Sequence, residues 1–252
     1  MTTVKEIWEA IDRMAPFDTA EDFDNVGLLI GAENQPVSRC LVTLDVTAAV
    51  AEEAVEKDCQ LILSHHPVIF HPLRQIAARS VPGMVLRHGL SVISAHTNLD
   101  KAMLNPSFAR KLGVEELEEV PGAGGCVLMG RPARQGLTSS ELAGELQKAM
   151  GLSYGRLYDA GKPVNRVAVC CGGGGGMLDA VLAAGVDCYI TGDIKHDQVV
   201  TAANAGLSII DLGHFETEVG VIPLLIQALS PSFPGVSFLP AERCQPLFQP
   251  LR

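Results

Sequence analysis

The chain is predicted to be an α/β protein built from two pseudo-symmetric halves. Apolar runs short enough to be buried strands alternate with amphipathic helical stretches, the pattern of a largely parallel sheet with crossover helices. The succession strand, helix, strand, helix, strand occurs twice, at about residues 40 to 95 and 164 to 213. With 252 residues, 47% of them hydrophobic, the chain can bury one large domain or two modest ones.

The first helix is marked at both ends. Thr3 and Glu6 form a capping-box pattern, and Val4, Ile7, Trp8, Ile11 and Met14 recur at helical spacing until Pro16 stops them. The polar stretch Thr19 to Gly27 follows, then an apolar run to Ile30. Strands are expected at Cys40 to Leu44, Leu61 to Leu63 and Ser91 to Ser94, with helices at Ala48 to Lys57 and over residues 75 to 88 around Pro82. In the second half a helix over Thr138 to Met150 opens on another capping box, Thr138 with Glu141. A strand at Val164 to Val169, a helix at Met177 to Ala184 and a strand closing at Tyr189-Ile190 come next. A helix from His196 to Ala205 and a strand at Ser208 to Leu212 complete the series. The Pro-Gly-Ala-Gly-Gly stretch at Pro121 to Gly125 looks like a linker. It divides the chain into an N-terminal α/β domain over 1–124 and a C-terminal one over 125–252, whose last helix can pack back on the first.

Charge and composition remove several function classes. Lysine and arginine total 19 against 29 acidic residues, a net charge of -10, which is not the footprint of a nucleic-acid binder. Aromatics at 5% are too few for the stacking tracks that hold single strands. The seven cysteines are odd in number and never spaced C-x-x-C, which points to a reducing compartment without disulfides or zinc knuckles. No charged-then-apolar leader opens the sequence, and no apolar run is long enough to span a bilayer, so a cytoplasmic protein without membrane partners is expected.

Four of the seven histidines stand at expected strand ends: His65, His66, His96 and His214. Side chains alternate in extended backbone, so His65 and His66 are expected to point apart and to serve neighbouring ions rather than one. If the segment opening at Gly213 is helical, His214 and Glu218 fall one turn apart on one face and converge. His96 with Asp100 repeats that H-x-x-x-acid spacing, and Leu63-Ser64-His65-His66 aligns with Ile190-Thr191-Gly192-Asp193 across the two halves. Polar groups at the carboxyl ends of strands occupy the place where open α/β sheets bind ligands. A single strand-end histidine is more often a hydrogen-bonded structural residue, Asp100 alone reads as an N-cap and Glu218 alone as a solvated helix position. Taken together, the spacings favour a metal site. Imidazole and carboxylate suit zinc, iron, manganese or cobalt. Two such ions with two carboxylates leave a net positive centre that attracts anionic substrates and generates hydroxide at neutral pH.

The glycine run Gly172 to Gly176 lies between a strand and a helix, where backbone amides can cradle an anion. It matches neither G-x-G-x-x-G nor a Walker motif, so a tight structural turn is the first expectation and a dinucleotide site the last. Cys170 and Cys171 have no identifiable base and are read as buried structural thiols. His196 fits a helix cap or a cleft lining equally well, while His71 and His88 carry no pattern.

Glu21-Asp-Phe-Asp-Asn-Val-Gly27, Ser64-His-His-Pro67 with Phe70, Ala95-His-Thr-Asn-Leu-Asp100, Thr191-Gly-Asp193 and Gly213-His-Phe-Glu-Thr-Glu218 together resemble one family. It is the dinuclear-metal-centre, hexameric proteins known as GTP cyclohydrolase I type 2 homologues, and the resemblance runs from the first helix to about residue 230. It implies two α/β domains with a di-metal site between them, six subunits in a ring, and two divalent transition-metal ions per subunit. The ligands it implies are His65, His66, Asp100, His214 and Glu218, with His96 close behind them as a support for the ligands or as a proton relay. It also implies a metal-dependent hydrolase acting on a nucleotide or another anionic small molecule through a metal-bound hydroxide. Phe23 stands where the family commonly has Trp, and the length leaves no room for the inserted domain of some members. No motif specifies a guanine base. A non-enzymatic metal-binding ring that serves as a scaffold or regulatory partner is the alternative.

Overall fold

A computed structural model describes residues 1–248. They form two compact units, one of Met1–Ala102 with Val219–Gln245 and one of Met103–Glu218 with the chain from Pro246.

The first unit opens with α1 (Val4–Met14), whose capping box is formed: Glu6 N–H donates to the Thr3 hydroxyl, and the Glu6 carboxylate accepts from the Thr3 amide. There follow β1 (Gly27–Ile30), β2 (Arg39–Thr43), α2 (Ala48–Glu56), β3 (Leu61–Ser64), α3 (Val81–Arg87), β4 (Ser91–Ser94) and α4 (Thr97–Leu99). Every residue of β3 and β4 is buried, as expected of parallel strands covered on both faces. The helix expected over 75–88 begins only at Val81. Pro82 sits in its first turn, where a missing N–H is harmless, and Ser80 caps it by accepting from Gly83 N–H at 3.3 Å.

The second unit runs through α5 (Asn105–Lys111), β5 (Val114–Glu119), β6 (Leu128–Pro132), β7 (Leu137–Thr138), α6 (Ser139–Met150), β8 (Arg156–Tyr158) and β9 (Pro163–Val164). It continues with β10 (Val167–Gly173), α7 (Leu178–Ala184), β11 (Cys188–Gly192), α8 (His196–Ala205), β12 (Ser208–Asp211) and α9 (His214–Glu218). Its main sheet has the order β5-β6-β10-β11-β12-β8, with β10, β11 and β12 parallel and the others antiparallel to their neighbours. The Pro121–Gly125 stretch connects β5 to β6 inside this unit, with Gly122, Gly124 and Gly125 at positive φ. The core of the unit gathers Val127, Met129, Ala168, Val181, Tyr189 and Ile209, all buried.

The chain then returns to the first unit as α10 (Val221–Leu229) and β13 (Ser237–Pro240). β13 pairs parallel with β2, which completes a sheet of order β1-β4-β3-β2-β13 in which only β1 is antiparallel. The buried Glu53 of α2 clamps this return, accepting from the Glu242 and Arg243 amides at 2.9 and 2.8 Å.

The two sheets share a plan. In each, three parallel strands follow one another in sequence order, and an antiparallel strand lies beyond the third: β1 beside β4, and β8 beside β12. The residues after the second and third strands are those the sequence singles out. No described helix is long and apolar enough to cross a membrane.

Candidate metal centre

In the first unit the donors come from the chain just past β3 and β4. His65 and His66 still bond to the neighbouring strand's extension, through their amides to Thr43 O and Leu44 O. The chain bends there, and the Ser64 hydroxyl donates to His66 O at 2.9 Å across the bend. The rings therefore do not diverge as alternation alone predicts. Their centroids lie 5.1 Å apart, and His96 joins them at 5.1 and 5.4 Å. These three histidines each offer a ring nitrogen within 4.8 Å of the others.

Each ring is oriented through Nδ1. His65 Nδ1 is 2.9 Å from Ala95 O, His66 Nδ1 is 2.7 Å from Asp45 Oδ1, and His96 Nδ1 is 2.9 Å from Asp24 Oδ1. A carbonyl or carboxylate oxygen only accepts, so Nδ1 carries the proton in all three, and the neutral ring presents the Nε2 lone pair. That is the arrangement in which histidines bind metals. Asp24 also accepts from the Thr97 amide and hydroxyl. Burial pushes its carboxyl up, but the bonds from His96 and Thr97 outweigh this and hold it at about 2.

Asp100 opens a π-helical turn, Asp100–Leu104, directly after α4. Such turns are rare and cluster at functional sites. Asp100 Oδ1 stands 3.4 Å from His65 Nε2, is buried, and accepts no hydrogen bond among the described residues. A buried carboxylate oxygen beside an imidazole Nε2 is satisfied by a proton shared with the ring or by a cation bound between them. The donor set of this unit therefore fits a divalent ion of the borderline kind.

In the second unit α9 is helical, and His214 and Glu218 converge as their spacing requires, Nε2 to Oε2 at 3.0 Å. Here too Nδ1 is tied to an acceptor, Asp193 Oδ2 at 3.0 Å. Asp193 holds its carboxylate there from a left-handed backbone, φ 50°, which costs a non-glycine residue roughly 1 kcal/mol. The bond to Glu218 foremost, helped by the charge of Asp193, raises His214 to about 9.

The glycine run serves this pair. Gly172 has φ +60°, and a β-carbon on it would lie 1.9 Å from Glu218 Oε1 and 3.2 Å from His214 Nε2. A β-carbon on Gly174 would collide with the Tyr189 and Thr191 hydroxyls, and one on Gly175 with the Gln198 amide. The first two glycines extend β10, and Gly174–Met177 form a single 3₁₀ turn, so the run is packing rather than a phosphate cradle. All seven cysteines are unbridged and buried. Burial pushes the Cys40 and Cys188 thiols up, away from reactivity. His196 is exposed at the start of α8, away from any donor group among the described residues.

The four histidines found at these strand ends are those the sequence spacing singles out, but the residues that orient them are not. Asp24 and Asp193 lie inside conspicuous motifs, and Asp45 stands two residues past the end of β2. Nothing in the spacing pairs them with their histidines.

The Duf34/NIF3 (NGG1p interacting factor 3) family signature matches residues 2–243. A Helicobacter pylori protein named GTP cyclohydrolase 1 type 2 is 32% identical over 234 residues, covering 91% of this chain and 92% of its own. A Campylobacter jejuni GTP cyclohydrolase 1 type 2 homolog is 31% identical over 221 residues, 85% of this chain and 87% of its own. Among solved structures, a Staphylococcus aureus hypothetical protein matches with TM-score 0.88 at 25% identity over 99% of both chains. A Bacillus cereus protein related to NIF3 matches with TM-score 0.87 at 21% identity, again over 99% of both.

Proposed function

The chain belongs to the Duf34/NIF3 family, and from that premise we propose that it is a metal-dependent hydrolase of the GTP cyclohydrolase 1 type 2 kind. Its substrate is a nucleotide or another anionic small molecule. It works as a homohexamer in the cytoplasm and carries two divalent transition-metal ions per subunit, held by His65, His66, Asp100, His214 and Glu218. One observation carries the reading: four histidines, three of them through carboxylates and one through a carbonyl, all have Nδ1 tied to an oxygen that only accepts.

When bound, the ions supply positive charge that polarises the substrate and acidifies a water. The remaining steps belong to the chain. Asp24 stays ionised at neutral pH, fixes His96 in the Nδ1–H tautomer and stabilises the imidazolium formed when Nε2 takes a proton from the attacking water. His96 then returns that proton to the leaving group. Two divalent ions held with the Asp100 and Glu218 carboxylates would leave positive charge for the anionic part of the substrate.

The test pairs turnover with metal content in His96→Ala. The expected result is metal content equal to wild type with hydrolysis of nucleotides and phosphoesters reduced about 10²- to 10⁴-fold. Loss of metal would make His96 a ligand, and unchanged turnover would remove its proton-transfer role.

A further inference from the structure

Large apolar side chains in the first unit are buried with few exceptions, and two of the exceptions stand together. Phe23 is 61% exposed and Phe70 is 39% exposed. Their ring centroids lie 6.4 Å apart at 42°, and the Phe70 ring is 6.3 Å from that of His96. The segments that carry them are tied to each other and to the histidine cluster. Asn25 Nδ2 donates to Ile69 O at 2.5 Å, Asp24 holds His96, and Glu21 N–H donates to the Thr97 hydroxyl at 3.0 Å. The pair is thus fixed in register with His96, with both rings partly exposed.

We infer that Phe23 and Phe70 form a stacking subsite for a planar heterocyclic ring, carried by the substrate whose reacting group lies at the histidine cluster. Two partly exposed aromatic rings tilted at 42° to each other offer a planar ring both apolar contact and quadrupole complementarity, whereas an aliphatic ligand gains the apolar contact alone. Stacking accepts any base because every base has a π-face, so this subsite selects a nucleobase-like ring without choosing guanine. The inference rests on the hydrolase reading for the reacting group alone. The ring itself binds whether or not metal is present. The competing occupant is a second copy of the chain, because Leu73 and Ile76 on the Phe70 loop are exposed as well.

The experiment measures metal per chain first, then titrates metal-loaded and metal-free protein calorimetrically with GMP, CMP and ribose 5-phosphate. Stacking on one aromatic ring is worth about 5- to 150-fold in affinity. Both nucleotides are therefore expected to bind at least about 5-fold more tightly than ribose 5-phosphate. Phe23→Ala and Phe70→Ala should each erase most of that advantage while sparing metal content and ribose 5-phosphate affinity, and Phe23→Trp and Phe70→Tyr should keep it. Equal binding of nucleotides and ribose 5-phosphate overturns the inference. So does unchanged nucleotide affinity in both alanine variants, or a change in assembly mass in place of a change in affinity. If the wild type holds no metal, the hydrolase reading fails by itself, and the metal-free titrations still decide the subsite.

Discussion

Gly172→Ala separates two explanations of the glycine run. At φ +60° an alanine bears the left-handed penalty of about 1 to 2 kcal/mol. Its β-carbon would also lie 1.9 Å from Glu218 Oε1 and 2.8 Å from Glu218 Cδ. That overlap is with the tip of a flexible side chain, so the fold relieves it by swinging the carboxylate aside. The displaced group is the one set 3.0 Å from His214 Nε2, so the larger loss falls on metal binding. Moving a metal ligand or its support typically lowers affinity about 10- to 100-fold. Gly176→Ala is the control, because a β-carbon there meets nothing within 4 Å and the backbone is not left-handed. Urea denaturation and competitive zinc titration on both variants check this. The expected result for Gly172→Ala is a stability loss of about 1 to 2 kcal/mol with at least about a 10-fold weaker metal site. Gly176→Ala should stay within about 0.5 kcal/mol of wild type with unchanged affinity. Equal metal affinity in the two variants would refute the claim that Gly172 makes room for Glu218.

Glu53→Ala should cost about 2 to 3 kcal/mol in urea denaturation without altering metal content, because two amides and Lys57 lose a buried charged acceptor. The His214 imidazole is raised from 6.5 to about 9 in the folded, metal-free protein, so its contribution to stability is complete below pH 6.5 and is lost as pH rises through 9. Thermal melts of metal-free protein should therefore fall across that window, and Glu218→Gln should flatten the fall. Metal and proton compete for the same Nε2, so apparent metal affinity should climb over the same range, with proton release seen by calorimetry in buffers of different ionisation enthalpy. A pH-independent affinity would contradict the assignment of His214.

What the sequence made legible was local. The capping boxes of Thr3 with Glu6 and Thr138 with Glu141 form because their partners are three residues apart. The His214–Glu218 pair forms for the same reason, one helical turn apart. The parallel triplets β2-β3-β4 and β10-β11-β12 follow from the short crossovers of each strand-helix-strand-helix-strand stretch, whereas the flanking strands β1, β13, β5, β6 and β8 do not. The orienting carboxylates are a different matter. Asp24 is 72 residues from His96, and Asp45 and Asp193 are each 21 residues from their histidines, so only the folded sheet brings them together. The convergence of His65 and His66 was illegible too, because it depends on a bend just past β3 that the alternation of an extended strand does not predict. The glycine run was visible as composition, but which glycine is indispensable depends on a side chain 46 positions later, Glu218 facing Gly172.

The central claim is that the anchored histidines and their carboxylates hold metal. Elemental analysis of protein purified without added metal or chelator, expressed as metal per chain, tests it most directly. About two equivalents of a transition metal are expected, falling in His66→Ala and in Glu218→Ala with the fold intact. Near-zero metal that anaerobic iron, manganese or zinc cannot restore would contradict the claim and leave the four histidines as structural residues.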